Sequence, residues 1–377
     1  MKQSGSENKR YFIIAGEASG DLHASNLVRE IKKLEPGATF AGFGGDLMQE
    51  QGVTILKHYR EMDFMGFIEV ILNLRTIMRN MEFCKKALAE FQPDVVILID
   101  YPGFNLRIAP FAKELGAKVV YYISPQIWAW KQNRVYKIRE VVDRMLVILP
   151  FEKEFYARFD VTVDFVGHPL LDALENSGSD FATGTAFREK YNLADKPVIA
   201  LLPGSRSQEI SSKLPVMLNM IDRFPAYQFV IAKAKSQPMP FYEQLCKGYP
   251  ITIIENATYE VLKNATAACV TSGTATLETA LFQVPEVVCY KGNKLSYLIA
   301  RQLIKVKFIS LVNLIMDREV VKELIQDEFN ASNLEKELNA ILNGPKAVEL
   351  KKEYELLREK LGGPGASARA AAIVHEV

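Results

Sequence analysis

Charge of one sign, paired cysteines and long apolar runs are all scarce in this chain of 377 residues. The 46 lysine and arginine residues are balanced by 45 aspartate and glutamate residues, and the net charge of +1 argues against nucleic-acid binding, which usually needs a basic excess. The four cysteines are scattered, with no C-x-x-C pair and no metal-ligand spacing. This argues against a disulfide scaffold or a zinc site and favours a reducing compartment.

No apolar run reaches the ~20 residues that span a bilayer, and the polar N-terminus has no apolar signal core. The sequence therefore predicts a cytoplasmic protein that meets membranes only at their surface. Hydrophobic residues make up 49% and charged residues 24%, which is ordinary for a globular protein. At roughly 100–200 residues per domain, the length predicts two domains.

Short apolar runs alternate with helical patterns in two series, which predicts two doubly wound α/β domains. The predicted strands are residues 11–15, 39–43, 95–99, 118–123, 145–149, 198–202, 227–232, 251–254, 267–270 and 287–290. Helices are predicted at 22–34 and 67–91, and the tail from residue 317 onward is predicted to be helical. A segment rich in Ser, Gly, Thr and acidic residues at 175–185 predicts a hinge between domains at 1–174 and 175–349.

The loops after the strands are the places to look for ligand contacts, because ligands of open parallel sheets bind beyond the carboxyl ends of the strands. GEASGD (16–21) follows the first strand, and its small residues allow a ligand to approach the backbone at a helix N-terminus. The spacing is not the G-x-G-x-x-G of dinucleotide-binding proteins. A tight turn with Asp21 as a helix cap is the alternative interpretation.

Two more loops of the first half carry candidate residues. Asp100 directly follows the strand at 95–99, where a carboxylate is a candidate general base. The alternative is a cap for the next helix, although Asn105 is better placed for that. Both tryptophans, Trp128 and Trp130, lie in one loop, where aromatic faces suit sugar rings and bases unless they pack in the core.

In the second half, PGSRSQE (203–209) follows a predicted strand and opens a helix. Gly204 allows close approach, Ser205 offers a hydroxyl donor, and Arg206 offers a guanidinium for phosphate. An exposed arginine in a turn is the alternative.

TSGTATLE (271–278) opens another helix, and Glu278 is placed to accept hydrogen bonds from ribose hydroxyls. A capping box would need Ala275 as the cap, which is a poor one. Two loops suited to anions predict a nucleoside diphosphate ligand. Neither a P-loop nor a D-x-D metal motif occurs, so the diphosphate charge would be met by Arg206 and backbone amides.

Eight motifs in register across nearly the whole chain closely resemble the lipid-A-disaccharide synthases, a family of GT-B glycosyltransferases from Gram-negative bacteria. The motifs are GEASGD (16–21), IDYPGFN (99–105), SPQIWAW (124–130), LPFEKEFY (149–156), FVGHPL (165–170), LLPGSRSQE (201–209), TSGTATLE (271–278) and VVKELIQ (320–326). SLVNLIMDRE (310–319) is similar to the family's SLPNLLAGRE, with Val312, Met316 and Asp317 as departures. The resemblance implies two Rossmann-like parallel-sheet domains that face each other across a cleft, with helices from about 350 to 377 packing back on the first domain.

The resemblance also implies an inverting reaction that needs no metal and no cofactor. UDP-2,3-diacylglucosamine and 2,3-diacylglucosamine 1-phosphate (lipid X) give a β-1′,6-linked disaccharide 1-phosphate and UDP, with the acceptor in the first domain and the UDP-sugar in the second. Asp100 is the expected base, with Glu17 and Asp21 as the other candidates. The expected substrate-binding residues are Gly16, Ser19, Gly20, Asn105, Ser124, Gln126, Trp128, Gly204, Ser205, Arg206, Glu209, Ser272, Gly273, Thr274, Thr276, Glu278 and Asn313.

Acylated substrates need an apolar surface, and residues 62–78 are apolar over more than one helical face. The expected acyl-chain and membrane contacts are Phe64, Met65, Phe67, Ile68 and Ile71. Arg75, Arg79 and a basic cluster at 291–307 are suited to anionic headgroups on the inner face of the inner membrane. The alternatives are a helix buried on both sides and a solvated basic face.

Two other functions fit parts of the pattern. A UDP-N-acetylglucosamine 2-epimerase shares the GT-B architecture but needs no lipid, so the apolar segment at 62–78 counts against it. A two-lobed nucleotide-sugar-binding protein without enzymatic activity would usually be exported, so the missing signal core counts against it. Acyl-chain length and oligomeric state stay open.

Overall fold

A computed structural model of the chain describes residues 8–62, 74–177, 181–234, 236–293, 297 and 306–377. The chain divides into two compact units, one of residues 1–173 with 361–377 and one of residues 174–360. Each unit contains its own parallel sheet. In the described part of the chain, we find no helix of the length and apolarity that a bilayer span requires.

The first unit is built on a seven-stranded parallel sheet. Its strands are β1 (Arg10–Ala15), β2 (Thr39–Gly44), β3 (Thr54–His58), β4 (Val95–Ile99), β5 (Lys118–Tyr122), β6 (Arg144–Val147) and β7 (Asp164–Phe165). Their order is β3-β2-β1-β4-β5-β6-β7, so the direction of winding reverses between β1 and β4. Both strands are apolar and buried along almost their full length, as expected for strands covered on both faces. The loops after β1 and β4 therefore begin side by side at the switch point of the sheet.

Helices cover this sheet, and the last one comes from the C-terminus. The described helices up to the unit boundary are α1 (Ala18–Leu34), α2 (Asp46–Glu50), α3 (Leu74–Phe91), α4 (Pro102–Glu114), α5 (Arg134–Val141), α6 (Phe151–Ala157) and α7 (Leu170–Ser177). The C-terminal helix (Ala366–Glu376) packs along α1 and buries its alanine-rich face there. The small side chains allow the two helices to approach closely.

The second unit repeats the arrangement with six parallel strands. They are β8 (Val198–Leu202), β9 (Gln228–Lys233), β10 (Thr252–Glu255), β11 (Ala265–Thr271), β12 (Glu286–Tyr290) and β13 (Lys322–Ile325). Their order is β10-β9-β8-β11-β12-β13, which places the switch point between β8 and β11. The two loops that the sequence assigns to phosphate and ribose follow these two strands.

The helices of the second unit pack on this sheet, several of them around an apolar core that includes Phe187 and Val261. They are α8 (Thr185–Lys190), α9 (Ser207–Leu218), α10 (Met220–Arg223), α11 (Met239–Leu245), α12 (Thr258–Lys263), α13 (Thr274–Leu281), α14 (Leu311–Met316), α15 (Ala331–Asn343) and α16 (Lys346–Lys360), and the C-terminal helix described above is α17.

All ten predicted strands overlap an observed strand, and three observed strands, β3, β7 and β13, were not predicted. The prediction of a helical tail from residue 317 was wrong at β13, whose Lys322 and Glu323 favour a helix in isolation. Parallel pairing with β12, in register from Val287 with Lys322, decides the strand instead.

The C-terminal segment that belongs to the first unit is shorter than expected. It begins at residue 361 rather than about 350. The reason is α16, which buries Leu350, Tyr354 and Leu357 and packs against α13, α14 and α15 of the second unit. Only the part of the helix predicted at 67–91 that begins at Leu74 lies within the described residues.

Candidate functional site

The turn after β4 holds two consecutive residues in the left-handed region, Asp100 (φ 42°) and Tyr101 (φ 46°). Such residues cost about 1–3 kcal/mol each and cluster at functional sites. The Asn105 side-chain nitrogen donates to the carbonyl oxygen of Asp100 at 2.8 Å. The Tyr121 hydroxyl donates to the same oxygen at 2.5 Å. These bonds fix the backbone of Asp100 at the carboxyl end of β4.

The Asp100 carboxyl group is suited to proton transfer near neutral pH. Burial raises its pKa to about 6, while a backbone hydrogen bond from Tyr101 acts in the opposite direction. A general base works best when its pKa is close to the working pH. Asp100 is half-buried rather than fully enclosed in the core.

Asn105 was predicted to bind substrate, and its side-chain nitrogen is committed to the turn. It donates to Ile99 O (3.2 Å) as well as to Asp100 O. Its Oδ1 is buried and has no hydrogen-bond partner among the described residues. Asn105 therefore positions Asp100, and only its Oδ1 is left for another group.

The loop after β1 lies against the Asp100 turn. Gly16 is required there because the Tyr101 ring occupies the space of a side chain at position 16. Glu17 is the half-buried N-cap residue of α1, and Ser19 is exposed at the start of that helix, whereas Gly20 packs against Ala15. The structure thus brings Gly16, Glu17 and Asp100 to one edge of the first sheet.

Asp21 has a structural role in the first unit. Its carboxylate accepts hydrogen bonds from the backbone N–H groups of Gly45 (2.8 Å), Leu47 (3.1 Å) and Met48 (3.1 Å). These amides form the N-terminus of α2, so Asp21 caps a neighbouring helix rather than its own. A carboxylate with three donors is poorly placed to take a proton from substrate.

The loop after β5 divides the two tryptophans between core and surface. Trp128 is only 7% exposed and packs edge-on against Phe151, whereas Trp130 is 45% exposed. The face predicted to stack on a substrate is therefore not available on Trp128. Ser124 is also buried, with its hydroxyl 2.8 Å from the Tyr156 hydroxyl, while Gln126 is exposed.

In the second unit, the loop after β8 requires glycine at one position. Gly204 has a φ of +119°, and a Cβ at this position would lie 2.7 Å from Glu209 Oε2. Ser205 and Arg206 are exposed, and the Ser205 carbonyl oxygen accepts hydrogen bonds from Ser236 Oγ (2.5 Å) and Gln237 Nε2 (3.1 Å). Two polar side chains after β9 therefore hold the loop in place.

Two hydroxyl groups of the loop after β11 donate to backbone carbonyl oxygens. Ser272 Oγ donates to Ile309 O at 2.8 Å, and Thr276 Oγ1 donates to Gly273 O at 2.8 Å. Thr274 is exposed at the first residue of α13. Thr276 is fully buried and was predicted to bind substrate, so its observed role is to shape the turn.

The two loops of the second unit line one cavity of about 210 Å³. Its lining residues are Leu202, Gly204, Ser205, Glu209, Ala232, Ala234, Thr258, Thr271, Ser272, Gly273, Thr274, Ala275 and Glu278. The N-termini of α9 and α13 both begin beside it, so backbone N–H groups and helix dipoles favour an anion there. Most of the residues predicted to bind the UDP group are thus brought together.

Glu278 lines this cavity from α13, and Tyr259 of α12 lies next to it. Burial raises the pKa of Glu278 to about 7, and a hydrogen bond from Tyr259 acts in the opposite direction. The same carboxylate raises the pKa of Tyr259 further above its usual value. A carboxyl group lining this cavity can accept hydrogen bonds from a ligand hydroxyl when ionised and donate one when protonated.

Asn313, also predicted to bind substrate, is fully buried and bonded on every side. Its Nδ2 donates to Val321 O and to Glu323 Oε1, both at 2.9 Å. Its Oδ1 accepts from the backbone N–H groups of Val320 (2.7 Å) and Val321 (3.0 Å). The amide ties α14 to the start of β13, and a substrate contact would have to replace one of these bonds.

A larger cavity of about 540 Å³ lies elsewhere in the second unit and has a lining rich in charge. Its lining carries four basic and four acidic side chains, and ion pairs join Arg318 to Glu353 and Lys322 to Glu319. Such mutually compensated charges leave no net attraction for an anionic ligand.

The sequence missed Tyr259, which contacts Glu278, and Ser236 and Gln237, which bond to the Ser205 carbonyl oxygen. All three lie outside the two loop motifs, and only their positions after β9 and β10 could have indicated a role at this site. The predicted acyl contacts Phe64, Met65, Phe67, Ile68 and Ile71 lie outside the described residues.

Comparison with known sequences gives a consistent result along the chain. A family model described as lipid-A-disaccharide synthetase matches residues 11–377. Lipid-A-disaccharide synthase of Syntrophus aciditrophicus is 44% identical over 372 residues, covering 97% of this chain and 96% of that protein. The protein of the same name from Geobacter metallireducens is 41% identical over 377 residues, covering 98% and 97%.

Solved structures match the fold at much lower sequence identity. UDP-GlcNAc 2-epimerase of Methanocaldococcus jannaschii, in complex with UDP-GlcNAc and UDP, superposes with a TM-score of 0.65 at 14% identity and covers 98% of this chain and 100% of that one. Likeness at this level establishes the architecture alone. The fold is GT-B, with two parallel-sheet α/β domains of the kind found in glycosyltransferases and epimerases.

Proposed function

The chain belongs to the lipid-A-disaccharide synthetase family of glycosyltransferases, and we propose that it transfers 2,3-diacylglucosamine from its UDP derivative to lipid X. The products are the β-1′,6-linked disaccharide 1-phosphate and UDP. The cavity shared by the loops after β8 and β11 carries this proposal, because it offers two helix N-termini, Arg206 beside it and Glu278 within it.

The second unit supplies the groups that hold UDP in this proposal. The diphosphate is bound by Arg206 and by the backbone amides at the start of α9 and α13. Glu278 accepts hydrogen bonds from the ribose hydroxyls. The loop after β8 is suited to this task because Gly204 leaves room for a phosphate and Ser236 and Gln237 keep the loop in place. Positive groups at the diphosphate stabilise the charge that develops as UDP leaves.

The first unit supplies the base. The 6-hydroxyl oxygen of lipid X attacks the anomeric carbon, the bond from that carbon to the diphosphate oxygen breaks, and the hydroxyl proton passes to the Asp100 carboxylate. A single displacement inverts the anomeric carbon. We assign the base to Asp100 rather than Asp21 because Asp21 already accepts three backbone hydrogen bonds. Glu17 stays as the alternative.

No metal ion is needed in this scheme, because Arg206 and the helix N-termini supply positive potential at the leaving group. The corresponding test is activity in the presence of EDTA. We expect the rate to be unchanged. Loss of activity in EDTA that Mg²⁺ restores would contradict the scheme.

The acylated substrates place the enzyme at the inner face of the inner membrane in this proposal. Support comes from the described end of the apolar segment, where Arg75 and Arg79 are exposed beside Met78, which is 53% exposed. Apolar and basic side chains on one surface suit an anionic lipid interface.

The experiment that tests the proposed function follows UDP release. Purified protein is given UDP-2,3-diacylglucosamine with and without lipid X, and we expect release only with lipid X. A UDP-N-acetylglucosamine 2-epimerase would act on UDP-N-acetylglucosamine alone, so epimerised product without an acceptor would contradict the proposal. A protein that binds UDP but releases none would be a nucleotide-sugar-binding protein.

A further inference from the structure

A buried lysine without an ion-pair partner lies behind the two loops of the second unit. Lys213, on α9, is 1% exposed, and its Nζ lies 3.4 Å from Thr271 Oγ1. Among the described residues, no carboxylate lies within 4.0 Å of this Nζ. An unpaired buried ammonium is costly, so this arrangement calls for a source of negative charge.

A second buried lysine of the same unit has its charge compensated by an ion pair, as is usual for a buried ammonium group. Lys233, at the end of β9, is 2% exposed, and its Nζ donates to Glu255 Oε1 at 2.7 Å. The two lysines belong to the same unit and are equally buried, but only Lys233 has a carboxylate partner. Lys233 is therefore a matched control for Lys213.

The groups around Lys213 leave its charge only partly compensated. Burial lowers its pKa, and the charge of Arg206 lowers it further, while Glu209 and Cys289 raise it. Glu209 is one turn earlier on α9, is half-buried and lines the cavity. The Tyr290 ring lies 6.0 Å from the Nζ, and Thr271 contributes a hydroxyl and no charge.

The position of Lys213 indicates where the missing charge would come from. Thr271, which the Nζ touches, is the last residue of β11 and lines the same cavity as Gly204 and Glu209. The ammonium therefore lies directly behind the wall of the cavity to which the diphosphate is assigned above.

We propose that Lys213 provides counter-charge for the diphosphate across Thr271 and takes up a proton when the diphosphate binds. This inference rests on the proposed function. The bound diphosphate stabilises the ammonium form and raises the pKa of Lys213. At alkaline pH, the Lys213 amine is neutral in some of the free protein molecules. Binding of the diphosphate therefore leads to protonation of the amine in those molecules.

The test is calorimetric titration with UDP between about pH 7.5 and pH 10, in pairs of buffers with different ionisation enthalpies. In this range the UDP phosphates, with a pKa of about 6, and most of Glu278, at about 7, are already ionised. For the wild-type chain we expect net proton uptake within this range. Binding without proton uptake across this range would overturn the inference.

Variants separate charge from structure. Lys213→Met should abolish the uptake and weaken UDP binding about tenfold or more, because it removes a charge that acts on the phosphate. It should also leave the free protein equally or more resistant to denaturant, since an unpaired buried charge is gone. Lys213→Arg should retain affinity without proton uptake, because arginine stays charged.

The control variant at Lys233 should have the opposite pattern of effects on stability and on UDP binding. Lys233→Met should lower stability, because it removes one partner of an ion pair, and it should leave UDP affinity and proton uptake unchanged. Loss of stability in Lys213→Met comparable to that of Lys233→Met would contradict the inference. If Lys213→Met does not fold, the difference in proton uptake between the wild type and Lys213→Arg still tests the inference. Failure of the wild type to bind UDP would instead refute the proposed function.

Discussion

At the scale of single residues, Asp100 is the proposed general base. Replacing it with asparagine keeps the shape of the turn and removes the base, so Asp100→Asn should lower kcat by about 10²–10⁴-fold. UDP affinity should be retained because the UDP site is assigned to the second unit. Steady-state kinetics and calorimetry measure the two quantities. Near-normal turnover would reject Asp100 and make Glu17 the next variant to test.

The same residue predicts a pH dependence. Only the ionised carboxylate accepts a proton, and burial raises its pKa to about 6. We therefore expect kcat/KM, which reports groups of the free enzyme, to fall tenfold per pH unit as the pH drops below about 6. A pH–rate profile in the wild type checks this. A flat profile between pH 5 and 7 would contradict the assignment of the base.

Arg206 and Glu278 are expected to hold the two ends of UDP. Arg206→Ala removes a charged hydrogen-bond partner and should weaken UDP binding by about 1.5–3 kcal/mol. Glu278→Ala should weaken it through the ribose, and titration calorimetry measures both. Arg223→Ala is the control, since Arg223 pairs with Glu335 elsewhere in the same unit. The placement is refuted if both variants bind UDP as the wild type does.

Most candidate residues could be located from the sequence because they follow buried strands, but their environments could not. The sequence left open whether Asp21 is a helix cap or a base. In the structure Asp21 caps α2, whose first residues lie 24 or more positions later in the chain. It also left open which tryptophan is core. The orientation of Trp128 depends on packing against Phe151 of α6, and the hydrogen bonds of Asn313 depend on how the chain turns from α14 into β13.

At the scale of elements, one carboxylate anchors the C-terminal helix. Asp172 accepts hydrogen bonds from the N–H groups of Gly365 (2.6 Å), Ala366 (3.2 Å) and Ser367 (2.8 Å) at the start of α17. Loss of such a cap costs about 0.5–2 kcal/mol, so Asp172→Ala should lower the denaturation midpoint. Asp195→Ala, which removes an exposed ion pair with Arg188, should not. Equal midpoints for the two variants would contradict the capping role.

The strands that could be predicted are those that carry their own apolar signal. β4 is VVILI and is buried throughout, so composition alone identifies it. β13 is KELI and becomes a strand only through pairing with β12, while β7 has two residues and β3 is half-exposed. Tertiary pairing decides such edge strands, which is why propensity missed them.

At the scale of the whole molecule, the sequence predicted two parallel-sheet domains of the GT-B class, and both sheets are confirmed. The residues that return to the first unit were less well predicted. Helix α16 is too polar for its pattern to indicate which unit it packs against, and three buried side chains decide that it stays with the second.

The lipid surface gives a prediction for the whole enzyme. Replacing Phe64, Phe67 and Ile68 with serine should lower vesicle binding and raise the apparent KM for lipid substrates, because apolar burial in lipid is worth about 25 cal/mol per Å². UDP affinity should not change. Vesicle sedimentation and kinetics measure the effects. A triple variant that unfolds would indicate a core helix, and one that binds vesicles normally would direct attention to the basic cluster at 291–307.

The central claim is that this chain joins two acylated glucosamines, and mass spectrometry of the product tests it most directly. The protein is incubated with lipid X and UDP-2,3-diacylglucosamine, and the lipid fraction is analysed. We predict a species with the mass of donor plus acceptor less UDP, absent when either substrate is omitted and strongly reduced in Asp100→Asn. Recovery of both substrates unchanged, or of an altered UDP-sugar without the disaccharide, would contradict the account.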